Sequence, residues 1–152
     1  MPNSQIEAAR MRPGKRSERL AGINPLLYPG WDSLLEAHPG SSFFHRTAWA
    51  QVLHETYGHR PIYFCRFADG QLKGLFPIME ISSPWTGCRG VSLPFTDVCS
   101  PLQTTKHDRR ALYELAMEHG RCQNWRSLEY SIALTACTQN SNGHENLTCP
   151  GG

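Results

Sequence analysis

The sequence predicts an α/β (α+β) domain, a mixed sheet flanked by helices, and three observations predict it. From residue 29 to residue 130 the apolar pattern gives the order helix, helix, strand, strand, strand, helix, strand. Turn and cap signals fall where that order needs them, at Pro39-Gly40, Gly58, Asp69-Gly70 and the pair Thr105 and Asp108. The length of 152 residues suits one domain with a real core and is short for two.

Trp31, Leu34, Leu35 and His38 recur at i, i+3, i+4 and i+7, the mark of a short amphipathic helix stopped by Pro39-Gly40. Ser41 to Arg46 is a connector with two aromatics expected at the surface, Phe43 and Phe44. Thr47 is the expected N-cap of a second helix whose core side is Trp49, Val52, Leu53 and Thr56-Tyr57. Trp31 and Trp49 both sit at core spacing. Gly58 supplies the left-handed residue that closes this helix, and Pro61 prevents its resumption.

Ile62 to Phe67 is apolar on both faces apart from Arg66, as a strand inside a covered sheet should be. Asp69-Gly70 is a hairpin turn, and Leu72 to Ile81 is the returning strand. Gly74 and Pro77 inside that strand predict a bulge or a splayed edge. Gly90 to Phe95 reads as a third strand and runs into a loop, Thr96 to Leu102. Thr105 caps a further helix with core face Leu112, Leu115, Ala116 and His119, ended by Gly120. Trp125 to Tyr130 is the fourth strand.

Three regions follow. Residues 1–23 are expected to be a disordered basic arm, since Arg10, Arg12, Lys15, Arg16 and Arg19 crowd together without apolar periodicity. Residues 24–130 form the domain. Residues 131–152 are a polar tail, too poor in apolar side chains to offset about 1–2 kcal/mol of backbone entropy per residue. That change of character near Tyr130 reads as a truncation or a frameshift.

A formal charge of +2 gives no concentrated basic face, so specific nucleic-acid binding is not expected. No apolar run reaches membrane-spanning length and no apolar stretch follows the basic residues, so neither a transmembrane segment nor a signal peptide is expected, and a cytoplasmic location is the default expectation. The six cysteines lack any C-x-x-C pair and read as reduced thiols, not as a disulfide framework or a zinc site. Asn146-Leu147-Thr148 matches a glycosylation sequon by chance if no secretory route exists.

Most chemical motifs are excluded by spacing. His54-Glu55 and His59 do not make a helical zinc pair, because histidines five apart lie roughly 140° from each other on a helix and Gly58 has already ended it. There is no G-x-S-x-G elbow, Walker A loop or G-x-G-x-x-G, and no glycine-rich strand-to-helix turn to hold a pyrophosphate. No cofactor is therefore expected to bind this chain, and no catalytic residue stands out. The substrate-binding candidates are Phe43, His45, Phe95 and Asp97. Asp97 follows a strand and suits either an Asx-type turn or a hydrogen bond to an amine or hydroxyl substrate. His45 suits a surface or capping role better than catalysis. Phe43, Phe44, Phe95 and Asp97 together suit a groove for a sugar or peptide precursor.

Several of these segments also resemble a known family. Trp31-Asp32, Phe43-Phe44-His45-Arg46 with Trp49, Thr56-Tyr57-Gly58-His59-Arg60-Pro61, Gly74-Leu75-Phe76-Pro77 and Ser92-Leu93-Pro94-Phe95 with Asp97 stand in that order. They resemble the N-terminal half of FemAB-like proteins, more narrowly the group associated with exosortase and exopolysaccharide gene clusters. The loop Val98-Cys99-Ser100-Pro101-Leu102 departs from relatives, which commonly carry a glycine pair before the Pro-Leu. The resemblance implies two tandem GNAT-type domains, of which this chain supplies the first, and a donor that is acyl-CoA or aminoacyl-tRNA. It implies transfer of an acyl or aminoacyl group to an amine of a cell-envelope or exopolysaccharide precursor. With the second domain missing, the chain is expected to be inactive alone; a non-catalytic module that binds the precursor is the alternative.

Overall fold

A computed structural model of the chain describes residues 18–92, 102–103, 105–131 and 142–146. In chain order the elements are β1 (Glu18–Ile23), α1 (Trp31–Glu36), a 3-10 turn (Phe43–His45), α2 (Thr47–Tyr57), β2 (Arg60–Ala68), β3 (Gln71–Ser83), β4 (Gly87–Val91), β5 (Leu102–Gln103), α3 (Lys106–Cys122), β6 (Trp125–Ser131) and β7 (Asn142–Asn146). One mixed sheet runs β1-β2-β3-β4-β6-β7, with β5 paired to β3 beside β4. All pairs are antiparallel except β4 with β6, which run parallel. The expected mixed sheet flanked by helices is the one observed.

The sheet is covered on both faces, which explains why β2 is buried without alternation from Pro61 to Cys65. On one face Trp31 and Leu35 of α1 and Ala50 and Leu53 of α2 pack on Tyr63, Cys65, Leu75 and Met79. On the other face Leu112 and Ala116 of α3 pack on Ile62, Phe64, Phe76, Ile78, Trp125 and Leu128.

The β2–β3 hairpin turns where the sequence predicts it. Asp69 (φ 52°) and Gly70 (φ 73°) both take left-handed conformations, which the two-residue turn demands. The expected irregularity in β3 falls beside Gly74: Arg66 pairs with Gly74 but Phe67 pairs with Leu72, leaving Lys73 as the extra residue. Pro77 keeps register with Tyr63, while the far edge of β3 pairs β5 at Gly74–Leu75 and β4 only from Met79 onward. The proline thus lies in the gap where that edge splays.

Several boundaries differ from expectation, each for a physical reason. Glu18–Ile23, expected within the basic arm, is the first strand: Ala21 is buried against the sheet and pairs with Cys65. Arg19 and Glu18 on the exposed positions obscure its short apolar alternation. The third strand is Gly87–Val91 and begins three residues before the expected Gly90, because Pro84-Trp85-Thr86 already turns the chain back; residues 93–95 of the expected strand lie outside the described residues. In α2 the buried residues are Ala50 and Leu53, while Val52 and Tyr57 face solvent, since this helix touches the sheet along a narrow stripe. Gly120 does not end α3; it is buried within the helix, which runs on to Cys122, and Asn124 supplies the left-handed residue (φ 56°). Asn142–Asn146, inside the expected polar tail, pairs with β6 as β7.

Candidate functional site

The connector between α1 and α2 holds one 3-10 turn, Phe43–His45, braced by side chains. Ser42 and His45 form a reciprocal cap: the His45 Nδ1 accepts from the Ser42 amide at 3.1 Å and lies 3.0 Å from the Ser42 hydroxyl. His45 is only 2% exposed, and its carbonyl accepts from the Trp31 indole N–H at 3.0 Å. The structure therefore gives His45 the capping role. Thr47 does not cap α2 itself; the Asp32 carboxylate of α1 accepts from its amide at 2.9 Å and from its hydroxyl at 3.2 Å.

That rigid connector presents an aromatic ledge. Phe43, Phe44 and Trp49 contact one another edge-on or tilted, with ring centroids 5.4 to 6.0 Å apart. Phe44 and Trp49 lean on the core, whereas Phe43 is 55% exposed. The Trp49 indole N–H is buried with no hydrogen-bond partner. Beside the ledge, Gly40 packs closely on Leu102 of β5, where a β-carbon would come within 3.2 Å of the leucine methyl. Of the sequence-predicted candidates, Phe43 is thus displayed and His45 is withdrawn into the scaffold. Phe95 and Asp97 lie outside the described residues.

A second polar grouping, which no local motif announces, is assembled from β2, β3, β4, α3 and β6. Glu80 accepts from the Trp125 indole N–H at 2.6 Å and pairs with Arg60 at 3.3 Å. The His119 Nε2 lies 3.9 Å from Glu80, too far for a hydrogen bond, and is buried without a partner. Burial holds the His119 pKa below the usual 6.5, with the Glu80 charge opposing and Arg60 reinforcing the shift. Burial, then the neighbouring Glu80 charge, pushes the Cys88 thiol up. A thiol held protonated is a poor nucleophile, and a carboxylate already engaged by an indole and a guanidinium has little capacity left for a substrate proton. The grouping therefore acts as a polar bolt that ties β6 to β3 across β4, with the His119 ring packed beside it.

A third feature is the buried ion pair between Arg66 of β2 and Asp108 in the first turn of α3, at 2.7 Å with Asp108 1% exposed. Arg66 also reaches Glu18 of β1 at 3.0 Å. Among the described residues no group of three or more His, Cys, Asp or Glu is placed to hold a metal ion. Cys65, Cys88 and Cys122 are free thiols.

The sheet with its parallel β4–β6 pair and helices on both faces is a mixed α+β fold of the GNAT-like type. The crystal structure of FemX, a FemAB-family protein, superposes with a TM-score of 0.50 at 17% sequence identity. The likeness covers 65% of this chain and 24% of that one, so the chain spans about a quarter of the neighbour's length. At that identity the likeness is one of fold, and the fold is FemAB-like. No family model matches the sequence, and no curated protein matches it. No helix among the described residues is long and apolar enough to cross a membrane.

Proposed function

We propose that the chain is the N-terminal GNAT-like domain of a FemAB-type transferase and holds the acceptor. The acceptor is an amine-bearing cell-envelope or exopolysaccharide precursor, of the kind made in exosortase-linked systems. The donor is acyl-CoA or aminoacyl-tRNA, supplied with the help of a second GNAT-like domain at the cytoplasmic side. The observation that carries this reading is the exposed Phe43 on a braced aromatic ledge, set on a FemAB-like fold. Flat ring faces suit the C–H faces of a sugar or the side chains of a peptide stem. Because Glu80, His119 and Cys88 are committed to packing, the reading assigns the described residues to binding and none to chemistry. That same commitment favours the second reading, a non-catalytic precursor-binding module.

The test is calorimetric titration of the full chain with nucleotide-linked sugar–peptide precursors, beside Phe43→Ala, and mass spectrometry of the precursor after incubation with acyl-CoA or charged tRNA. Saturable binding that falls about tenfold in Phe43→Ala, without product, is expected. Absence of binding across the precursor panel sinks both readings. Product formed by the chain alone removes the need for a second domain. Donor binding by the chain favours the transferase over the module.

A further inference from the structure

One end of the sheet carries aromatic and cationic side chains that neither reading uses. The α2 helix ends there at Tyr57, β2 begins there at Arg60, α3 ends there at Cys122 and β6 begins there at Trp125. The β3–β4 hairpin projects from the same end, because Ser83 pairs with Gly87 and Cys88 with Trp125. At the hairpin tip Trp85 is 91% exposed, the most exposed large apolar side chain among the described residues. The tip is not loose: the Ser83 hydroxyl accepts from the Trp85 and Thr86 amides at 3.3 and 3.4 Å. A tryptophan held out in water by a braced turn is at odds with folding alone, which would bury it.

Arginines share that end of the sheet with the tip. Arg126 of β6 lies against Gly87, where a β-carbon would fall 2.8 Å from its Nε. Arg126 and Arg121, both exposed, make no ion pair with a described residue. Arg89 reaches Glu129 only at 3.9 Å, and Arg60, half exposed, pairs with the nearly buried Glu80. Tyr57, 52% exposed, adds a second amphipathic ring at this end. Tryptophan and tyrosine favour the headgroup layer of a bilayer, and each arginine near an anionic leaflet adds attraction.

We infer that this end of the sheet docks on an anionic lipid surface, with Trp85 entering the headgroup layer and Arg89, Arg121 and Arg126 lying over the phosphates. Single-stranded nucleic acid fits less well, because it is bound by rows of aromatics along a basic groove and not by one ring on a projecting turn. The inference stands apart from the precursor-binding reading, since the ledge at Phe43 plays no part in it.

The experiment is sedimentation of the full chain with vesicles of phosphatidylcholine alone or with about one-third phosphatidylglycerol, read also by tryptophan fluorescence. Binding to the anionic vesicles alone is expected, with a blue shift that Trp85→Ala abolishes. Trp85→Ala should weaken binding about tenfold, and the double variant Arg121→Glu/Arg126→Glu about fivefold per charge lost. All three substitutions are at exposed positions, so circular dichroism should show an unchanged fold. No binding to anionic vesicles overturns the proposal. So does binding that survives both variants, which would place the contact on the basic residues 10–19, and so does a preference for single-stranded nucleic acid over vesicles.

Discussion

Replacing Gly90 with alanine tests how β4 and β6 are joined. Gly90 is the last residue but one of β4, paired with Glu80 on one side and Leu128 on the other. A β-carbon there would lie 2.7 Å from Cε3 and 2.8 Å from Cη2 of Trp125, and closer still to Cζ3. The indole cannot step aside freely: Trp125 is 2% exposed and its N–H donates to Glu80 at 2.6 Å. Overpacking of this kind costs about 1–3 kcal/mol. Displacing an indole from a charged acceptor adds roughly 1.5–3 kcal/mol. The expected loss is therefore about 2.5–6 kcal/mol, a large share of the ~5–15 kcal/mol that holds a domain together. Urea unfolding is the assay, and with a slope of ~1–3 kcal/mol per molar the midpoint should drop by at least about 1 M. In a Trp125→Leu background the same substitution should cost less than about 1 kcal/mol, because the clashing ring is gone. A Gly90→Ala protein within ~0.5 kcal/mol of the parent would refute the reasoning.

Acidification should destabilise the protein through His119 and His59, whose pKa values are both held below 6.5, chiefly by burial. A depressed histidine leaves the folded state unprotonated while the unfolded chain takes up a proton. Stability is thus full above about pH 6.5 and falls as the pH drops from there through the folded pKa. Thermal melts between about pH 7.5 and 5 should show this slope, and His119→Phe, which keeps a ring against Phe64 and Trp125, should flatten it. Asp32→Ala should cost about 1–2 kcal/mol in the same melts by uncapping α2. Asp108→Ala should cost roughly 3 kcal/mol, since it removes the buried carboxylate and strips the partly buried Arg66 of its closer partner. The further removal of Glu18 should then cost more than it does alone, because both acids serve one guanidinium.

Local signals were readable from the sequence because they act over a few residues. The Asp69-Gly70 hairpin, the left-handed Gly58 and the Thr105 cap, whose hydroxyl accepts from the Asp108 amide at 3.2 Å, all belong to that kind. The missed features depend on partners far along the chain. Asp32 caps a helix fifteen residues on, and β5 is two residues long and exists only because β3 offers it an edge. Val52 has a core periodicity that the narrow α2 contact does not honour. In the candidate site, Phe43 was legible as an exposed aromatic in a polar connector. His45 was ambiguous until the structure showed its ring buried beneath Ser42. The Glu80 grouping had no signature at all, since Arg60, Cys88, His119 and Trp125 come to it from separate elements.

Amide and indole NMR spectra of the full chain during titration with a sugar–peptide precursor test the central claim most directly. Trp49, Trp31 and Trp125 report on three different places: the ledge, the α1 core and the Glu80 grouping. If the ledge holds the acceptor, the Trp49 indole and the amides around Phe43 shift and saturate together, while the Trp125 indole stays where Glu80 holds it. Shifts centred on Trp125 and His119, or none at Trp49 at saturating precursor, would contradict the assignment of this domain to acceptor binding through the Phe43 ledge.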